Sequence, residues 1–136
     1  MRKEIIFPAE IDSIPAITDF VNEALEEADC SMKAQTQIDI AIDELFSNIA
    51  YYAYGENKGE ATVVVDLDAE KREVSITFID SGTPYNPLEK KDPDISVALE
   101  DREIGGLGIF MVKQCVDEMA YNYTNGRNIL TVKKFF

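Results

Sequence analysis

Ala41-Ile42-Asp43-Glu44-Leu45-Phe46-Ser47-Asn48-Ile49-Ala50-Tyr51-Tyr52-Ala53-Tyr54 reads as the second half of a long amphipathic helix. At 100° per residue, Ile38, Ile42, Leu45 and Ile49 fall in one narrow apolar stripe, as a core-facing helix requires. Glu44 and Asn48, four residues apart, stand one above the other on a flank of that stripe. A carboxylate and a carboxamide are thereby held at the edge of a core, where a cleft can open. For this helix alone, a solvated Glu and Asn is the simpler reading. Two distant stretches, Asp80-Ser81-Gly82 and Gly105-Gly106-Leu107-Gly108, shift the weight.

Working outward toward the N-terminus, Glu4-Ile5-Ile6-Phe7 reads as a strand stopped by Pro8. Ser13 is a good N-cap with Pro15 in the first turn, and the helix it starts runs to about Asp29. Ile14, Ile17, Val21 and Leu25 give it an apolar face, and Glu23, Glu26 and Glu27 an acidic one. Ser31 caps the long helix, which continues to about Tyr54 and stops at Gly55. Toward the C-terminus, Glu60–Asp68 and Glu73–Asp80 alternate as strands and form a hairpin across Ala69-Glu70-Lys71-Arg72. Residues 83–103 lose periodicity, as a functional lid or an unstructured loop would. A helix then carries Ile109, Val112, Val116 and Met119 on its apolar stripe. Two last strands, Met119–Thr124 and Asn128–Lys134, flank Asn125-Gly126, a strong hairpin turn. The order β-α-α-β-β-loop-α-β-β predicts an α+β fold, a two-layer sandwich with a mostly antiparallel sheet covered on one face by helices.

The chain has 136 residues, the usual size of one domain, with no internal repeat and no second domain. Its 46% apolar and 29% charged content fits a soluble globular protein. No apolar run approaches the roughly 18 residues that span a bilayer, and the N-terminus lacks the pattern of a secretory signal. Cys30 and Cys115, both expected inside helices, read as reduced thiols of a cytoplasmic protein. A net charge of −13 argues against direct nucleic-acid binding and against an anionic membrane surface, because both need Lys and Arg. An anionic small ligand would need local help: a helix N-terminus, Mg²⁺ or one well-placed Arg. The absence of histidine removes His-ligated zinc, His general-base catalysis and a phospho-acceptor His in this chain.

Asp80 ends its strand on the same face as Val74, Ile76 and Phe78. A carboxylate there is costly without a hydrogen-bond partner. It either caps the Ser81-Gly82 turn or accepts from the polar edge of a ligand. The glycines at 105, 106 and 108, ahead of a helix, either form a hinge or let the backbone approach a phosphate. No Gly-Lys-Ser/Thr follows, so this is not a Walker A loop. No strand feeds it directly and its third glycine is misplaced, so it is not the dinucleotide fingerprint.

Taken in order, Asp43-Glu44-Leu45-Phe46-Ser47-Asn48, Asp80-Ser81-Gly82 and Gly105-Gly106-Leu107-Gly108-Ile109 resemble the N box and the two glycine boxes of the gyrase–chaperone–histidine-kinase–mismatch-repair ATP-binding superfamily. Within it the chain is similar to the small anti-sigma-factor serine/threonine kinases of the RsbW and SpoIIAB type. The resemblance covers nearly the whole chain. It implies that residues 1–136 form a single histidine-kinase-like ATP-binding domain, with helices over a mixed, mostly antiparallel sheet. It further implies that Asn48 supplies an oxygen to Mg²⁺ and that Glu44 is the catalytic base for the attacking hydroxyl. Asp80 would accept from the adenine amino group, with Gly82 letting the base lie close. Gly105, Gly106 and Gly108 would wrap the phosphates under an 83–104 lid, Arg102 would meet the terminal phosphate, and Thr131 would place a hydroxyl near the adenine. Many relatives carry a His shortly after the N-box Asn, where this chain has Tyr51-Tyr52.

The activity implied is Mg-ATP-dependent phosphorylation of Ser or Thr on a small anti-sigma-factor antagonist. In the other partner state the protein would hold a sigma factor, and a homodimer is left open. The alternative is a non-catalytic ATP-binding regulatory module that binds a protein partner. A histidine-kinase catalytic fragment is disfavoured by the absence of His and of a dimerisation helix pair before an apparently complete domain. An α+β domain without a nucleotide site, in which Asp80 and the glycines only make turns, is the remaining reading.

Overall fold

A computed structural model describes residues 1–89 and 106–136, the side chains of residues 106 and 107 excepted. Arg102, Gly105 and most of the 83–103 segment lie outside the described residues. The elements are β1 (Arg2–Pro8), α1 (Ile14–Glu27), α2 (Met32–Asn48), β2 (Glu60–Asp68), β3 (Glu73–Asp80), α3 (Gly106–Cys115), β4 (Glu118–Thr124) and β5 (Arg127–Phe135). The five strands form one sheet in the order β1-β2-β3-β5-β4. All four pairings are antiparallel, so among the described residues the sheet is wholly antiparallel where a mixed, mostly antiparallel one was expected.

Alternation decides the layers. Val63, Val65 and Leu67 on β2, Val74, Ile76 and Phe78 on β3, and Leu130 and Val132 on β5 are buried in one core with the helices. From α1 come Ile17, Val21 and Leu25; from α2, Ile38, Ile42, Leu45 and Phe46; from α3, Ile109 and Val112. The stripe read from the sequence is the buried face of α2, and burying each of these side chains contributes on the order of 1.5–3 kcal/mol.

Several local expectations change. Ser31 caps α2 as expected, its Oγ accepting from the Ala34 N–H at 3.1 Å. Ser13 does not cap α1; its Oγ donates to the Pro8 carbonyl at 2.8 Å, and a short 3₁₀ turn, Ile11–Ser13, precedes the helix. α1 ends at Glu27, and Cys30 lies beyond it, buried, with its thiol pushed up by burial. α2 ends at Asn48 and passes into a π-helical turn, Ile49–Ala53, before Gly55 stops it at φ +59°. Met119 belongs to β4, opposite Val132, and not to α3. In the β4–β5 turn Asn125 and Gly126 take φ 53° and 76°, the pair of positive angles an Asn-Gly hairpin turn uses.

Candidate functional site

The core face of the sheet turns polar at one end. There the cross-strand row runs Phe7–Ala61–Asp80–Asn128–Tyr123. Asp80 and Asn128 are each only 6% exposed. Asn128 Nδ2 donates to Asp80 Oδ1 at 2.9 Å, and the Gly82 N–H donates to the same oxygen at 2.9 Å. Asp80 Oδ2 accepts no hydrogen bond among the described residues. The Asx turn read from Asp80-Ser81-Gly82 is therefore present, and it occupies only one of the two carboxylate oxygens.

This row borders a narrow cleft, open to solvent, between the end of α2, the sheet and the 82–87 loop. Asp80, Asn128, Asn48, Tyr52, Tyr85 and Tyr121 bring polar groups to it, over an apolar wall that includes Leu45, Ile49, Phe78 and Leu130. Such a cleft, apolar with a few convergent polar groups, suits a flat heteroaromatic ligand. Asn48 lines it at the C-terminal end of α2, and its side chain has no hydrogen-bond partner among the described residues. At the rim Tyr52, 63% exposed, lies 6.5 Å centroid to centroid from Tyr85 and 6.2 Å from Tyr51.

Two glycines mark the close approaches. A Cβ at Gly82 would collide with the Ala53 carbonyl, and the neighbouring Thr83 N–H donates to that carbonyl at 2.7 Å. The loop after β3 is thus pressed onto the π-helical turn after α2, which only glycine permits. A Cβ at Gly108 would run into the Glu44 carboxylate. Glu44 therefore lies against the first turn of α3, the end of a helix that favours an anion. It is half-buried and makes no hydrogen bond or ion pair among the described residues.

The structure thus brings Asn48 and Asp80 to the cleft, with Gly82 pressed against Ala53 beside it, and sets Glu44 against Gly108, one helical turn before Asn48. Gly106 opens α3 as expected. Thr131 is a correction. It pairs with Thr77 across β5 and β3, their hydroxyls 3.0 Å apart, on the face of the sheet away from the helices. Leu130 and Val132 take the core face, so strand alternation turns Thr131 away from the cleft. Asn128, three residues earlier, fills the place beside Asp80. A buried Asn next to a hairpin turn reads in sequence as part of the turn, and only the β3–β5 register brings it to Asp80.

Among the described residues there is no group of three or more His, Cys, Asp or Glu that could hold a metal, and no helix long and apolar enough to cross a membrane.

The family model for the histidine kinase-like ATPase domain matches residues 7–134. The chain belongs to that family. This histidine kinase-like ATPase domain is 30% identical over 108 residues to the serine-protein kinase RsbW of Listeria monocytogenes, covering 76% of this chain and 68% of that one. It is 26% identical over 102 residues to the serine/threonine-protein kinase BtrW of Bordetella bronchiseptica, covering 75% and 71%. It is 29% identical over 96 residues to RsbW of Bacillus cereus, covering 69% of this chain and 60% of the relative. Among solved structures, the RsbU and RsbW domains of Rv1364c from Mycobacterium tuberculosis superpose with a TM-score of 0.69 at 20% identity. That match covers 99% of this chain and 32% of the crystallised one, and it shows the shared fold.

Proposed function

We infer that this ATPase-family domain, a single domain over residues 1–136, binds ATP in the Asp80 cleft. There it acts as a serine/threonine protein kinase on a small anti-sigma antagonist and, in the alternative partner state, holds a sigma factor. The observation that carries the reading is Asp80: a buried carboxylate at the cleft with Oδ1 saturated and Oδ2 left without a donor among the described residues. A carboxylate oxygen in that state, on a residue that lines the cleft, matches an exocyclic amine such as that of adenine.

The remaining residues fit the terminal-phosphate end. Mg²⁺ takes few protein ligands and keeps waters and phosphate oxygens, and the Asn48 carboxamide, unpartnered among the described residues, suits it; when bound, it supplies positive charge against the phosphates. Glu44 takes the proton of the incoming Ser or Thr hydroxyl as that oxygen bonds the terminal phosphorus and ADP leaves with the electron pair of the broken P–O bond. Gly108 keeps the backbone clear of that carboxylate. Gly105 and Gly106 are assigned to the phosphates and Arg102 to the terminal one.

The test is calorimetric titration of ATP and ADP, with and without Mg²⁺, into the wild type and Asp80→Asn. The substituted amide keeps an oxygen for Gly82 and Asn128 but sets an amide donor in place of Oδ2. The expected loss of affinity is about 10- to 100-fold, from one charge-assisted hydrogen bond. A folded, nucleotide-free wild type that binds neither nucleotide overturns the reading.

A further inference from the structure

The hydrogen bonds of the Asn128 side chain all converge on the wall that holds Asp80. Its Nδ2 faces Asp80 Oδ1 at 2.9 Å, the Thr83 carbonyl at 3.0 Å and the Gly82 carbonyl at 3.4 Å. Its Oδ1 accepts from the Tyr85 N–H at 3.1 Å and from the Tyr121 hydroxyl. Burial pushes the Tyr121 phenol above its ordinary range, opposed by a backbone hydrogen bond at Tyr85, so the hydroxyl remains a donor at neutral pH.

This arrangement fixes the orientation of the amide. Acceptors surround the nitrogen and donors surround the oxygen, so a flipped amide would set like against like on both sides. An aspartate of the same shape would turn an oxygen toward Asp80 and two carbonyls. An alanine would take away the acceptor shared by the Tyr85 N–H and the Tyr121 hydroxyl and the donor to both carbonyls.

We propose that Asn128 is a positioning residue that makes the nucleobase pocket selective for a 6-aminopurine over a 6-oxopurine. By holding Oδ1 of Asp80, together with the Gly82 N–H, it locks the carboxylate so that only Oδ2 is offered to a base. A 6-amino group donates to that oxygen. A 6-oxo group sets a second acceptor against it, and the locked carboxylate cannot turn to meet the neighbouring N1–H. With Asn128 removed, Asp80 is held by Gly82 alone and can rotate to accept from either base. Tyr121 and Tyr85 extend the same clamp to β4 and to the loop that borders the cleft. This inference rests on ATP binding at Asp80.

The experiment compares ATP with inosine triphosphate, which differs at the 6 position and N1. Both are titrated into wild type, Asn128→Ala, Asn128→Asp and Tyr121→Phe, alongside amide hydrogen exchange at Tyr85 without nucleotide. Wild type should prefer ATP by about 10- to 100-fold. Asn128→Ala and Asn128→Asp should bring the ratio to within about threefold of unity. Tyr121→Phe, which deletes one hydroxyl and spares the fold, should lower it partway. A substitution that merely loosens the structure weakens both nucleotides alike and leaves the ratio unchanged; an unchanged ratio in folded Asn128→Asp or Tyr121→Phe overturns the proposal. The Tyr85 amide should be protected in the wild type and exchange at least tenfold faster in Asn128→Ala, which removes its acceptor. A protected amide without ATP binding would preserve the clamp but overturn the nucleotide reading and this role with it. An unprotected wild-type amide beside normal ATP binding would overturn the clamp alone.

Discussion

A methyl group added at Gly82 and one added at Gly108 meet opposite kinds of neighbour. At Gly82 it strikes the carbonyl carbon and oxygen of Ala53, backbone held in the π-helical turn after α2. At Gly108 it strikes the end of the Glu44 side chain, which can swing aside. The two glycines mark the two ends of the proposed site. The Asp80 end is made of backbone, a sheet register and a fully partnered amide, and it is over-determined. The Glu44 end is a half-buried carboxylate with no hydrogen bond among the described residues. Recognition of a flat base needs acceptors fixed before the ligand arrives, because the site then loses no further freedom on binding. A general base must instead be free to meet a hydroxyl brought by another molecule.

The largest effect expected from this contrast is at Glu44. Glu44→Gln should lower phosphotransfer by about 10²–10⁴-fold, with ATP affinity within about twofold of wild type. Radiolabelled transfer to candidate antagonist proteins measures the first and calorimetry the second; undiminished transfer would remove Glu44 as base. Next comes Gly108→Ala. Displacing the carboxylate by about an ångström should lower transfer about 10- to 100-fold, while helix propensity leaves Tm unchanged or slightly raised. A normal transfer rate in that variant would mean that the contact with Glu44 is incidental.

Gly82→Ala should behave the other way. Its collision is with backbone, so the cost falls on the fold, about 1–3 kcal/mol in urea unfolding, together with weaker ATP binding. Equal Tm values for Gly82→Ala and wild type would break the distinction between the two ends. The smallest effect is expected outside both. Thr131→Val removes a cross-strand hydroxyl pair with Thr77 and should cost under about 1 kcal/mol, with ATP affinity unchanged. A clear loss of ATP affinity would return Thr131 to the base pocket.

The comparison also separates what was legible in the residues from what was not. The stripe Ile38, Ile42, Leu45, Ile49 was readable because period alone sets a helix face, and all four are buried. The hairpins were readable because Asn125-Gly126 permits positive φ and the flanking strands alternate. Ser13 misled because its hydroxyl found the Pro8 carbonyl, a partner supplied by the path of the chain before the helix. Met119 misled because it satisfies a helical stripe and a strand alternation equally, and the break after Cys115 decided between them.

Periodicity, turn chemistry and the spacing of its motifs determined that this chain is an α+β sandwich with Glu44 and Asn48 on one helix flank and Asp80 on the core face. Those features depend on residues near one another along the chain. Which strand lies beside β3 is different. The order β1-β2-β3-β5-β4 places Asn128 opposite Asp80, turns Thr131 to the other face and brings Tyr121 and Tyr85 onto one amide. The packing of α3 on α2 also brings Gly108 to Glu44 from a distant part of the sequence. Such pairings join segments far apart in the chain, and only the packing of the whole molecule selects among the partners each segment could satisfy.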